Sequence, residues 1–249
     1  MRDYRYFDQC LDRLTNDVYS QPPDEGHFEW GTHAIKWIME VLYGGKKPRR
    51  FRRKVLDVGC GQGFMCPVFE AMGFEWTGVA IGEDVDAAKF NLQRWGKDPS
   101  KVYNMDMAFL KFKGRPFHLI FARHVLEHSP FPIITLMEWR RVVRDDGHLC
   151  LVVPAPHNWG YRGKNHYSIV PMSLLNWWTN RAGWHMVHEF IFTNRHPLYL
   201  KHLEPYQDGY VFPYDVPAPP KTKEEILKSY PEGPVEFRLI CKAGEEIIE

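Results

Sequence analysis

Three groups of residues in this chain have the types and spacing that chemistry requires. The first is Asp57-Val58-Gly59-Cys60-Gly61-Gln62-Gly63, at the end of a short apolar run. The glycines leave the backbone bare, so the chain can take positive φ, and main-chain N–H groups at the start of a following helix can face a nucleotide-like ligand. A dinucleotide-binding turn would need its third glycine where Phe64 stands, so this spacing is a different one. The second group is His124-Val125-Leu126-Glu127-His128, with two imidazoles and a carboxylate within five positions. Read as the H-x-x-E-H signature of inverted zinc peptidases, it would need both histidines on one helix face. Ser129-Pro130 and Pro132 would break such a helix within a turn, which argues against that reading. The third group is the loop at 155–168, where His157 and His166 could move a proton and Tyr161 and Tyr167 could line an acceptor pocket.

These groups need elements to hold them. Val55, Leu56 and Val58 form a buried strand before the glycine turn, and Ile35, Ile38, Met39 and Leu42 place a helix over 31–43, closed by Gly44-Gly45. After the turn, the pattern predicts a short helix ending at Gly73, a strand at 75–81, a helix at 84–95 opened by an aspartate cap, and a strand at 101–105. A fourth strand at 117–122, a helix at 130–143, a turn at Asp145-Asp146-Gly147 and a fifth strand at 148–154 continue the alternation. Strands separated by helices imply parallel crossovers, hence an open, doubly wound α/β sheet that binds ligands at the carboxyl ends of its strands. Beyond Pro154 the chain reads as the loop 155–168, a helix at 171–183, a strand at 184–192, a Pro- and Tyr-rich excursion at 194–220, a helix near 222–229 and a strand at 235–241.

The element order over 31–192 and 235–241, the Asp57-x-Gly59-x-Gly61-x-Gly63 turn, and the segments FHLIFARHVLEHSP and EWRRVVRDDGHLCLVVP together resemble the class I S-adenosylmethionine (SAM)-dependent methyltransferases, in particular their type 11 subgroup. The resemblance implies a seven-stranded, mostly parallel, Rossmann-like sheet in a single domain over 1–249. Its parts would be an N-terminal helical segment (1–45), a SAM-binding core (54–154), substrate-side loops and an insertion (155–233), and a final strand and tail (234–249). It also implies SAM as cofactor and S-adenosylhomocysteine as product. Asp57, Gly59, Cys60, Gly61 and Gly63 would then wrap the methionine part. Asp106 and Met107 would meet the adenine, and Arg123 and His124 would lie beside the sulfonium. Ala80 stands where the family carries an acid for the ribose hydroxyls, with Ile81 beside it, and Glu83 or Asp84 from the next turn, or water, would substitute. His124, His166 and His157 are the candidate bases. Some quinone-biosynthesis and small-RNA methyltransferases hold a divalent ion through Glu-x-x-Glu-His at this position. His124 replaces the first glutamate here, which leaves His124, Glu127 and His128 as possible ligands, and no metal is expected.

Composition narrows the partners. Thirty-two basic and 31 acidic residues leave a net charge of +1, so no global field draws the chain to nucleic acid or membrane. Any such contact needs a local patch, and the basic run at 46–54 is either a solvated linker or an RNA contact. Five cysteines without CxxC spacing point away from disulfides and structural zinc, toward a reducing cytoplasm. The charged N-terminus is no signal peptide, and no run is apolar enough to span a bilayer. The expected reaction is methyl transfer to an O or N atom of a small metabolite, sugar or peptide. An RNA methyltransferase and a SAM-binding protein without turnover are the alternatives, and the oligomeric state is left open.

Overall fold

A computed structural model describes residues 9–10, 25–48, 53–156, 165–193, 196–197 and 234–244. Seven strands form one sheet in the order β3-β2-β1-β4-β5-β7-β6. They are β1 (Arg53–Val58), β2 (Phe74–Ala80), β3 (Val102–Asn104), β4 (Phe117–Arg123), β5 (Val143–Pro154), β6 (Trp184–Thr193) and β7 (Pro234–Ala243). The first five run parallel, and β7 lies antiparallel between β5 and β6. Because the order reverses beside β1, the ends of β1 and β4 open onto a crevice between outgoing loops.

Among the described residues, helices on the two faces are α1 (Glu25–Tyr43), α2 (Cys66–Ala71), α3 (Glu83–Arg94), α4 (Pro132–Val142) and α5 (Met172–Arg181). Alternation along β1 divides the core, since side chains two apart share a face. Val55 packs with Ile35, Ile38, Phe69 and Leu92 of α1, α2 and α3. Leu56 and Val58 pack with Leu136, Trp139 and Leu175 of α4 and α5. The sheet is therefore wound on both sides, as the alternating pattern requires.

The structure differs from the sequence reading at several boundaries. The first helix begins at Glu25, six residues before the expected start. Asp145-Asp146-Gly147 is not a free turn but an irregularity inside β5, where the register with β4 jumps between Phe117–Val143 and Leu119–His148. The strand can continue because Arg140 bonds both Asp145 and the carbonyl of Gly244, pinning the bulge to the end of β7. No aspartate caps α3: Gly82 stands at its N-cap with φ 60°, and Glu83, Asp84 and Asp86 occupy the first turn, where acids favour the helix dipole. Most of the 194–220 excursion, the helix near 222–229 and residues 49–52 of the basic run lie outside the described residues.

Candidate functional site

The end of β1 shows why the glycine turn has its shape. Cys60 N–H donates to the Val79 carbonyl at 3.0 Å, tying the loop to β2, and Asn91 of α3 donates to the Gln62 carbonyl at 3.1 Å. Gly59, Gly61 and Gly63 all have positive φ, at 68°, 49° and 80°. Their surroundings differ. A Cβ on Gly59 would lie 2.5 Å from Val125 Cγ2, and one on Gly63 would lie 2.8 Å from Leu92 Cδ1, whereas one on Gly61 would meet no atom within 4 Å. Two of the glycines thus let elements pack, and only Gly61 turns its bare side toward open space.

Asp57, two residues before Gly59, is 2% exposed, and its Oδ2 accepts from Trp76 Nε1 at 3.0 Å. Burial outweighs that bond and pushes the Asp57 carboxyl up to about 7. A carboxyl so placed fits a cationic ligand group, which would supply the positive charge that burial denies it. Trp76 reaches it because Gly78, opposite Asp57 in the register, lacks a side chain: a Cβ there would lie 2.3 Å from the indole. Neither Trp76 nor Gly78 carried a sequence signal for this role.

At the ends of β2 and β3 the loops are also pinned. Ala80 is the last residue of β2, 6% exposed, and its carbonyl accepts from Met105 N–H at 3.2 Å. Ile81 is half-buried and Glu83 is exposed on the first turn of α3. Asp106 uses Oδ1 to accept from Ala108 N–H at 2.7 Å, and Trp139 Nε1 donates to the Met107 carbonyl at 3.0 Å. The Asp106–Met107 pair is thereby held at the same edge of the sheet as Gly61 and Ala80.

Beyond β4, Arg123 ends the strand and His124 takes a left-handed φ of 52°, unusual for a residue with a side chain. Its N–H donates to the Val152 carbonyl at 2.9 Å. The imidazole sits between two carboxylates: Nε2 is 3.1 Å from Glu236 Oε2, and Nδ1 is 3.4 Å from Glu127 Oε1. Burial alone would lower the His124 pKa, but the bonds to Glu127 and Glu236 win and hold it above the ordinary imidazole value. Glu236 is held down at about 2 against burial, by His124 and by Arg238. Glu236 was absent from the sequence candidates; its pairing with His124 spans 112 positions.

The string HVLEH does not form a helix. Leu126–His128 is a single 3-10 turn, as the prolines require. The Glu127 carbonyl accepts from the N–H groups of Tyr167 and Ser168, at 2.7 and 3.0 Å, which folds His166 back against His128 with ring centroids 4.9 Å apart. His128 Nδ1 bonds the Asn165 carbonyl at 3.1 Å, so Nδ1 carries the proton and Nε2 is left as an acceptor. Ligand atoms of Glu127, His128 and His166 lie within 4.8 Å of one another. Tyr167 is exposed at 39%. His157 and Tyr161 lie outside the described residues.

Comparison with known proteins identifies the family and the fold. A sequence family described as Methyltransferase domain matches residues 11–189. The chain is 25% identical over 116 residues to the ubiquinone biosynthesis O-methyltransferase of Vibrio cholerae, covering 46% of this chain and 45% of that protein. It is 27% identical over 100 residues to the Yersinia enterocolitica protein of that name, covering 40% and 41%. The chain thus spans less than half the length of these relatives. Among solved structures, a putative sarcosine dimethylglycine methyltransferase from Galdieria sulphuraria superposes with TM-score 0.64 at 12% identity, covering 95% of this chain and 98% of that one. A geranyl diphosphate methyltransferase in complex with SAM gives TM-score 0.62 at 13% identity, covering 90% and 92%. Those likenesses concern the fold, and with the family match over most of the sequence they lead to one conclusion: this chain belongs to the class I SAM-dependent methyltransferases.

Proposed function

We propose that this chain transfers the methyl group of SAM to an oxygen or nitrogen atom of a small-molecule acceptor, with an oxygen favoured because its Vibrio cholerae and Yersinia enterocolitica relatives are ubiquinone biosynthesis O-methyltransferases. The observation that carries the reading is the open backbone at Gly61 beside the buried, cation-seeking carboxyl of Asp57. In this reading Asp57, Cys60 and Gly61 hold the methionine part of the cofactor, and Gly59 and Gly63, packed against Val125 and Leu92, give the turn its shape. Ala80, Ile81 and Glu83 line the ribose side, Asp106 and Met107 the adenine side, and Arg123 the sulfonium side.

The bound cofactor would supply an electrophilic methyl group, so the chain's own work is alignment and exclusion of water. His124 is held in a single orientation by its two carboxylates, one on each ring nitrogen; to take a proton from the acceptor it would first have to be deprotonated and give up the longer of the two contacts, from Nδ1 to Glu127 at 3.4 Å. His166 stands across the 3-10 turn as the second candidate base, with Tyr167 on the acceptor side; His157 and Tyr161 would complete that side. Among the described residues no helix is long and apolar enough to cross a membrane. The test is release of S-adenosylhomocysteine with panels of hydroxylated aromatics, sugars, peptides and RNA. Turnover confined to RNA, or absent while SAM still binds, would overturn the small-molecule reading.

The Glu127, His128 and His166 cluster favours a second reading, in which these groups would hold a divalent ion that aids the acceptor. The bond from His128 Nδ1 to a backbone carbonyl is the type of outer contact that orients a metal-binding imidazole. Loss of activity on chelation, restored by one ion, would select it.

A further inference from the structure

We propose that Glu236 and Arg238, at the start of the last strand, are positioning residues for His124, with Arg238 itself locked by His33 of the first helix and by two phenylalanines of β6. The inference rests on the reading of the crevice as the transfer site. What it adds is how the imidazole comes to be held there.

A residue with φ of 52° returns to ordinary backbone space unless its surroundings forbid it. For His124 the restraint is the pair of buried carboxylates, Glu127 at 1% exposure and Glu236 at 0%. Two anions buried about one imidazole need further positive charge, because an uncompensated buried carboxylate is costly. Arg238, also 0% exposed, supplies it. Its Nε donates to Glu236 Oε1 at 2.6 Å, which leaves Oε2 for His124 at 3.1 Å, so the carboxylate bridges the two with one oxygen each. The guanidinium lies over Phe192 at 4.7 Å and Phe190 at 5.7 Å, and Nη1 donates to His33 Nδ1 at 2.6 Å. Burial, followed by the nearby arginine, keeps His33 down at about 4, so its Nδ1 stays an acceptor near neutrality.

Strand geometry explains the arrangement. Residues 236 and 238 share a face of β7, which places the carboxylate opposite Pro154 and the guanidinium opposite Val152, the residue whose carbonyl holds the His124 N–H. The same two positions face Phe192 and Phe190 across β6. One contiguous path therefore runs from α1 through His33, Arg238 and Glu236 to His124.

The test uses the full chain with histidine labelled by 15N. Glu236→Gln keeps the volume but removes the charge. Its expected effects are altered His124 ring resonances, SAM affinity within about twofold, and a kcat for the acceptor lowered by about tenfold or more with KM little changed, the size associated with a misplaced proton-transfer group. His33→Ala, which touches neither carboxylate, should shift the same His124 signals by a smaller amount, and it serves if Glu236→Gln does not fold. Unchanged His124 signals in a folded variant would overturn the proposal, as would a lowered melting temperature with kcat intact. A wild type that transfers methyl to no acceptor, yet whose His124 signals move in both variants, would overturn the transfer reading and uphold the positioning.

Discussion

Replacing the three glycines of the turn one at a time by alanine, and Gly61 also by valine, separates packing from ligand contact. All three have positive φ, so any side chain costs about 1–2 kcal/mol of backbone strain. At Gly59 and Gly63 the new Cβ would also stand 2.5 Å from Val125 and 2.8 Å from Leu92. Val125 is β-branched and 7% exposed, and Leu92 is fully buried, so neither can move away freely. Overpacking of this kind adds about 1–3 kcal/mol. Gly59→Ala and Gly63→Ala should therefore melt below Gly61→Ala by roughly 2–4 °C for each additional kcal/mol, the scaling for a chain of this size. Gly61→Val adds a Cβ that meets no atom within 4 Å in the free protein, at the cost of a left-handed φ, and fills the space where the cofactor would lie against the backbone. Calorimetry should show its SAM affinity lowered by more than tenfold, equivalent to about 1.4 kcal/mol or more. Unchanged affinity in Gly61→Val, or a Gly61→Ala protein as destabilised as Gly59→Ala, would refute the assignment of Gly61 to the ligand and of its neighbours to packing.

If Asp57 meets the cofactor's ammonium as proposed, SAM binding should depend on pH. The Asp57 folded-state value of about 7 lies above the ordinary 3.8, so the stability it lends the ligand-free protein is fully present below about 4 and is lost as pH rises through about 7. SAM, whose ammonium favours the ionised carboxyl, should bind more tightly as pH rises across that window and release a proton on binding near pH 6; a flat titration, or one unaltered in Asp57→Asn, would contradict this. Ala80→Asp should supply the acceptor missing at the end of β2 and tighten SAM binding by on the order of 1 kcal/mol, whereas weaker binding would mean that Glu83 already fills the role. If His124 is the base, transfer should rise with pH only above the ordinary imidazole range, because Glu127 and Glu236 keep its proton on, and chelators should have no effect. A steep loss on chelation, reversed by one ion, would move the chemistry to Glu127, His128 and His166.

Much of the fold was legible along the chain because strands and helices announce themselves by local periods of two and 3.6 residues. Strand β2, helix α5 and strand β6 each lie within two residues of their expected bounds, and the prolines after His128 correctly ruled out a helical HVLEH. The glycine turn was legible for the same reason: its constraint is on the local backbone. The division of labour within it was not, since Gly59 and Gly63 are set by Val125 and Leu92, side chains that arrive from other elements. The turn expected at Asp145-Asp146-Gly147 lies instead inside β5, where Arg140 and β7 hold it, and the cap expected from aspartate is Gly82. His124 could be singled out by its position after β4 and Glu127 by the string they share, but not Glu236 or the groups behind it. Glu236 comes from 112 positions away, and His33 meets Arg238 across 205. The sequence pointed to a strand at 235–241, in which residues 236 and 238 share a face, whereas only the antiparallel insertion of β7 between β5 and β6 decided which end of the sheet they would occupy. Contacts of this kind depend on strand order and direction, which no local period encodes.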